Sequence, residues 1–126
     1  MPKIKILIVE DEIFTAEALR LDLRDMGYDV CSLASSGEKA IEITENEKPD
    51  IVLMDERLRG ELNGFEAAKG IQSRFGIPSI YMSGYPEEDI RKQAGIDQPI
   101  RCLNKPIEKF AIKDAVESVL HEKRTE

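Results

Sequence analysis

The sequence predicts a single α/β domain in which helices cover both faces of a five-stranded parallel sheet. The chain has 126 residues, 41% hydrophobic and 34% charged, a composition typical of one folded domain with its own core. Five short apolar runs alternate with five predicted helices, most of them marked by apolar residues at helical spacing. The connections between them are short, and this repeated strand–helix order favours parallel strands joined by right-handed crossovers.

The first two strand–helix units form the N-terminal part of the chain. β-branched residues predict a strand at residues 3–9, and a weaker strand is predicted at residues 28–33. The helix between them stops near Gly27 and carries apolar residues three and four apart: Ala16, Leu19, Leu23 and Met26. Ser35 and Glu38 are three residues apart, which predicts a capping box at the start of the second helix.

The third unit begins with the most apolar strand. The predicted strand, residues 50–54, leads into Asp55, and its short continuous apolar run at residues 51–54 is typical of a strand buried on both faces. Asn63 can cap the helix that follows. Strand four is predicted from Pro78 to Met82, and Ser83 begins the loop after it.

The last two helices flank a fifth strand, predicted at residues 100–103. Pro86 suits the first position of a short polar helix that ends around Gly95. The last helix is predicted to run to about His121. We therefore expect one folded core over residues 3–121 and no further output domain in this chain.

Charge, hydropathy and cysteine content indicate which partners and which cellular location to expect. A net charge of -7 and a pI near 4.9 argue against direct nucleic-acid binding, because no basic stripe can neutralise phosphates. No apolar stretch is long enough to span a membrane and the N-terminus lacks a signal-peptide pattern, so a cytoplasmic location is the expectation. Cys31 and Cys102 have no metal-binding spacing and are expected to be thiols in strands of the core.

Polar side chains follow four of the predicted strands. They are Glu10 and Asp11 after the first, Asp55 after the third, Ser83 after the fourth and Lys105 after the fifth. Each type is common in turns, but the carboxyl ends of parallel strands share one edge of the sheet, where open α/β sheets bind ligands. We therefore expect these side chains to converge.

The residue types indicate phosphoryl chemistry. Clustered carboxylates repel one another unless a cation joins them, and oxygen ligands suit Mg²⁺. A carboxylate such as Asp55 can act as a nucleophile toward phosphorus. An ammonium group (Lys105) and a hydroxyl donor (Ser83) can stabilise the charge on a transferring phosphoryl group.

Four motifs surround these strand ends: Ile-Leu-Ile-Val-Glu-Asp-Glu (6–12), Ile-Val-Leu-Met-Asp (51–55), Tyr-Met-Ser-Gly-Tyr (81–85) and Leu-Asn-Lys-Pro-Ile (103–107). Together and in this order they resemble the receiver domains of two-component response regulators, over about residues 3–121. The resemblance implies a flavodoxin-like (βα)5 three-layer sandwich with strand order 2-1-3-4-5. In that order Cys31 and Cys102 belong to opposite edge strands.

The resemblance also implies roles for individual residues. Asp55 would take a phosphoryl group from the phosphohistidine of a histidine kinase or phosphotransfer protein. Mg²⁺ would be bound by Glu10, Asp11, Asp55 and the backbone carbonyl of Arg57. Lys105 would pair with the phosphoryl group, and the bond from Lys105 to the following proline, Pro106, would be cis.

The output implied by the resemblance is a changed protein-binding surface. Ser83 would move to bond the phosphoryl oxygen and alter the face built from helix four, strand five and helix five. That face would bind a downstream protein or output domain, or a second copy in a homodimer. The domain would not be an enzyme in the usual sense, because it would catalyse only its own phosphorylation and dephosphorylation.

The sequence departs from the family pattern at three places. Cys102 occupies the position of an aromatic residue that often takes part in switching. The loop at residues 59–64 lacks the usual proline and is one residue longer. Glu56 replaces a frequent apolar residue and is expected to point to solvent.

Three residues beside the expected phosphoryl site would tune the phosphoryl lifetime: Arg57, Gly84 and Tyr85. Two other function classes are open from the residues alone. A receiver-like interaction module that is not phosphorylated would usually lack one of the acids or the lysine, and this chain lacks none. An enzyme of the nucleotide-binding type would carry a Gly-rich loop after strand one, where this chain has Glu10, Asp11 and Glu12. An aspartyl phosphohydrolase would usually carry a second Asp two residues after Asp55, where this chain has Arg57.

Overall fold

The computed structural model describes residues 3–58, 60–97 and 100–125. Five parallel strands form one sheet in the order β2-β1-β3-β4-β5, which confirms the expected α/β fold and strand order. The elements in chain order are β1 Lys5–Val9, α1 Ile13–Asp25, β2 Asp29–Val30, α2 Gly37–Glu47, β3 Ile51–Asp55, α3 Gly64–Phe75, β4 Ser79–Ser83, α4 Glu87–Ala94, β5 Cys102–Asn104 and α5 Lys109–Thr125. No helix among the described residues is long and apolar enough to cross a membrane.

The central strands are apolar throughout because helices cover both faces of the sheet. In β3, Ile51 and Leu53 pack in one core cluster with side chains of α1 and α5. Val52 and Met54 pack in a second cluster with side chains of α2 and α3. All four side chains are fully buried, which places the last residue of β3 at the rim of a rigid, doubly covered strand.

Side chains cap the starts of α2 and α3. The predicted cap of α3 is confirmed as a complete capping box, in which Asn63 and Glu66 each accept a backbone N–H of the other. The predicted box of α2 is wrong by one residue. Ser36 is the cap and accepts the Lys39 N–H, while the Glu38 carboxylate accepts the Leu62 N–H of the loop between β3 and α3.

The bounds of several strands and of the last helix differ from the prediction. β2 covers only residues 29–30 of the predicted 28–33, with one isolated bridge at Ala34, because one extra residue interrupts the pairing with β1. β4 is shifted by one residue and includes Ser83, which pairs with Asn104 in β5. β5 is likewise shifted toward Asn104, and the last helix extends four residues beyond His121 to Thr125.

Both thiols lie where the topology predicted. Cys31 is buried directly after β2 and Cys102 is half-buried in β5, so they belong to opposite edges of the sheet, and both are free. Arg59, the first residue of the lengthened loop, lies outside the described residues.

The start of α3 approaches the end of β3 very closely. A Cβ atom on Gly64 would lie 2.2 Å from the backbone oxygen of Asp55 and 2.9 Å from the Cα of Glu56. Only glycine fits at this position. The close contact therefore sets the distance between the start of α3 and the end of β3.

Candidate functional site

Asp55 is the last residue of β3 and is only 3% exposed. Its Oδ1 accepts the backbone N–H of Arg57 at 3.1 Å, which orients the carboxylate toward a cleft of about 700 Å³ at the carboxyl edge of the sheet. The predicted site residues that line this cleft are Glu10, Asp11, Asp55, Arg57, Gly84, Tyr85 and Lys105.

Three carboxylates meet in the cleft, as the strand order predicted. One oxygen from each of Glu10, Asp11 and Asp55 lies within 4.8 Å of the others. Burial, together with the neighbouring Asp55, raises the pKa of Glu10 to about 7. The three carboxylates repel one another at this distance. Their oxygen atoms are the donors that a hard divalent cation prefers.

Lys105 is the cation that faces this cluster. Its Nζ lies 3.2 Å from Glu10 Oε1 and 3.5 Å from Asp55 Oδ1. Burial by itself would lower the Lys105 pKa, but the two carboxylates outweigh it and raise that pKa. The Lys105 N–H also donates to the Ser83 carbonyl at 2.7 Å, and the peptide bond to Pro106 is cis, as expected.

Ser83 is buried beside the cleft, and its hydroxyl both donates and accepts a hydrogen bond. Ser83 Oγ donates to Glu56 Oε1 at 3.2 Å and accepts the Tyr85 N–H at 2.9 Å. The expectation that Glu56 points to solvent is therefore wrong, since this residue is 8% exposed. The Glu56 N–H continues the strand ladder by donating to the Met82 carbonyl, so Glu56 is held beside β4.

Arg57 and Tyr85 form a pair at the mouth of the cleft. Arg57 Nη2 donates to the Tyr85 hydroxyl at 2.9 Å, and the guanidinium carbon lies 4.8 Å from the centre of the Tyr85 ring. Arg57 Nε also lies 3.7 Å from Glu56 Oε1. Asn104 donates to the Tyr85 carbonyl at 2.7 Å, so this loop is tied to β5.

Cys102 does not line the cleft. It pairs with Tyr81 in the sheet and is half-buried. Burial, followed by the charges of Glu87 and Glu56, raises the pKa of the Cys102 thiol to about 11, so the thiol is uncharged at neutral pH.

Comparison with known proteins agrees with this arrangement. Residues 6–117 match the family described as the response regulator receiver domain. The signal receiver domain of a modulated diguanylate cyclase from Desulfovibrio desulfuricans G20 is 30% identical and superposes with a TM-score of 0.86, covering 96% of each chain.

Curated relatives show the same similarity over part of their length. The transcriptional regulatory protein PdtaR of Mycobacterium tuberculosis is 30% identical over 115 residues, which are 91% of this chain and 54% of the relative. The alkaline phosphatase synthesis transcriptional regulatory protein PhoP of Bacillus subtilis is 36% identical over 93 residues, 74% of this chain and 38% of the relative. The chain thus spans about half or less of the length of these relatives.

Proposed function

Because this chain belongs to the response regulator receiver family, we propose that it is a phosphorylation switch with Asp55 as the phosphoryl acceptor. The observation that carries the proposal is the convergence of three carboxylates and the Lys105 ammonium at the end of one buried strand. The donor is the phosphohistidine of a partner histidine kinase or phosphotransfer protein.

The reaction is a phosphoryl transfer between two side chains. An Asp55 carboxylate oxygen bonds to phosphorus while the phosphorus–nitrogen bond of the donor breaks, and that electron pair stays on the imidazole nitrogen. Lys105, already 3.5 Å from Asp55 Oδ1, can move with the new negative charge and pair with a phosphoryl oxygen. Ser83 supplies a hydroxyl on the neighbouring strand.

The carboxylate cluster fits Mg²⁺. Glu10, Asp11 and Asp55 offer oxygen atoms within 4.8 Å of one another, and burial together with the neighbouring Asp55 raises the pKa of Glu10. Together with the Arg57 backbone carbonyl they would hold the ion directly or through water. When bound, the ion offsets the repulsion between the acids and an incoming anionic phosphoryl group.

The output is a change of binding surface, and the domain acts on no substrate other than its own Asp55. The face formed by α4, β5 and α5 would bind a downstream protein or output domain, or a second copy of the chain. It is linked to the site through Ser83, whose carbonyl accepts the Lys105 N–H, and through the Asn104 bond to the Tyr85 loop. Arg57, Gly84 and Tyr85 at the cleft mouth would tune how long the phosphoryl group survives hydrolysis.

Incubation with Mg²⁺ and acetyl phosphate, followed by intact mass measurement, tests the proposal. Wild type should gain the mass of one phosphoryl group, and Asp55→Asn should gain none. Asp29→Asn removes an exposed carboxylate at the far edge strand and should be phosphorylated like wild type. A wild type that gains no mass would favour an interaction module that works without phosphorylation.

A further inference from the structure

Glu56 is a buried carboxylate to which the proposed reaction gives no task. Only 7% of its side chain is exposed, although it is adjacent to the acceptor Asp55. A buried carboxylate is costly unless it is paired and hydrogen-bonded. Its partners are the Ser83 hydroxyl at 3.2 Å and Arg57 Nε at 3.7 Å.

The bond to Glu56 determines what Ser83 can do. A serine hydroxyl has one proton to donate, and here that proton is directed to Glu56 Oε1. The Ser83 oxygen at the same time accepts the Tyr85 N–H. In this conformation Ser83 has no proton left for a phosphoryl oxygen on Asp55, so donation to that oxygen requires the bond to Glu56 to break.

Arg57 is placed to replace Ser83 as the partner of Glu56. Its guanidinium has five N–H donors, and Nε is already 3.7 Å from the Glu56 carboxylate. In the structure, Nη2 donates to the Tyr85 hydroxyl. A shift of the guanidinium toward Glu56 would give up that bond and release the Tyr85 side chain, which is 46% exposed.

We propose that Glu56 is a positioning residue that holds Ser83 in the resting conformation, and that Arg57 leaves Tyr85 to bind Glu56 when Ser83 turns to the phosphoryl group. This inference rests on the proposed function and adds a route out of the site. The route runs from Ser83 through Glu56 and Arg57 to Tyr85. The backbone of Tyr85 is bonded to Ser83 and to Asn104 of β5, so its release reaches the proposed output face.

Binding of beryllofluoride, a phosphoryl mimic, in the presence of Mg²⁺ tests the role of Glu56 in a double-mutant cycle. Glu56→Leu replaces the acceptor carboxylate with an apolar side chain of similar size. This change should raise the affinity for beryllofluoride, because Ser83 is then free to bind it. We expect the gain to be about tenfold larger in the wild-type background than in Ser83→Ala, since loss of a hydrogen bond to a charged group changes an equilibrium constant by about that factor. An equal gain in both backgrounds would mean simple charge repulsion and would overturn the proposal.

Two further variants separate the hydrogen bond from folding and charge effects. Glu56→Gln keeps an acceptor oxygen and should show a smaller Ser83-dependent gain than Glu56→Leu. Glu87→Gln removes another partly buried carboxylate, one that binds Arg91 instead of Ser83, and should change affinity equally in both backgrounds. A Ser83-dependent gain in Glu87→Gln would contradict the assignment to Glu56.

The ring signals of ¹³C-labelled tyrosine report the second half of the route. Beryllofluoride binds in the cleft that Tyr85 lines and shifts its ring resonances in both proteins, but the shift should be larger in wild type than in Glu56→Leu, because Arg57 leaves the ring only where Glu56 can accept it. Equal shifts in the two proteins would overturn the role of Arg57. A wild type that neither binds beryllofluoride nor takes a phosphoryl group from acetyl phosphate would overturn the proposed function itself.

Discussion

At the scale of single residues, Glu10 couples folding to pH. Its pKa is raised from an ordinary 4.5 to about 7, first by burial and then by Asp55. Between these two pH values Glu10 is protonated in the folded protein and ionised in the unfolded chain. Its protonation therefore contributes to stability in full below about pH 4.5, and this contribution is lost as pH rises through about 7. We expect the free energy of unfolding in EDTA to fall across this window, and Glu10→Gln to remove that part of the slope.

Urea unfolding at several pH values between 5 and 8 measures the effect, with the wild type and the variant compared at each pH. Glu12→Gln is the matched control, because Glu12 lines the same cleft but is exposed. It should keep the wild-type slope. An identical pH dependence for wild type and Glu10→Gln would show that Glu10 titrates at an ordinary pH.

At the scale of the elements, the contact between α3 and β3 sets the geometry beside Asp55. In Gly64→Ala the new methyl group would lie 2.2 Å from the Asp55 carbonyl oxygen, and rigid backbone on both sides must move to admit it. We expect a loss of about 1–3 kcal/mol in unfolding free energy, the usual cost of overpacking. Chemical denaturation measures it.

Gly70→Ala, in the same helix, is the control with the opposite sign. A Cβ at Gly70 would lie 3.8 Å from Ile41 Cδ1, an ordinary van der Waals distance. Alanine is the better helix former, so this variant should gain roughly 0.5–1 kcal/mol. Equal effects of the two substitutions would show that helix propensity, and not the approach to Asp55, decides the cost at Gly64.

At the scale of the whole molecule, the sheet and the site edge were predictable, because both follow from local patterns. A run such as residues 51–54 can be apolar throughout only if both faces are covered, and parallel strands bring their carboxyl ends together. The orientation of Glu56 was not predictable, because its burial depends on Ser83 from another strand. The length of β2 was overestimated for a similar reason, since it depends on the register with β1: four positions separate Val30 from Ala34, but only three separate their partners Ile6 and Val9.

Metal binding should stabilise the whole fold, because the cluster joins residues that follow β1 to the end of β3. A ligand that binds only the folded state adds about 2.7 kcal/mol at a concentration one hundred times its dissociation constant. Mg²⁺ should therefore raise the unfolding free energy of wild type, and EDTA should reverse the gain. Asp11→Asn removes one of the three clustered carboxylates and should lose most of this gain, whereas an equal Mg²⁺ response in both proteins would place the ion elsewhere.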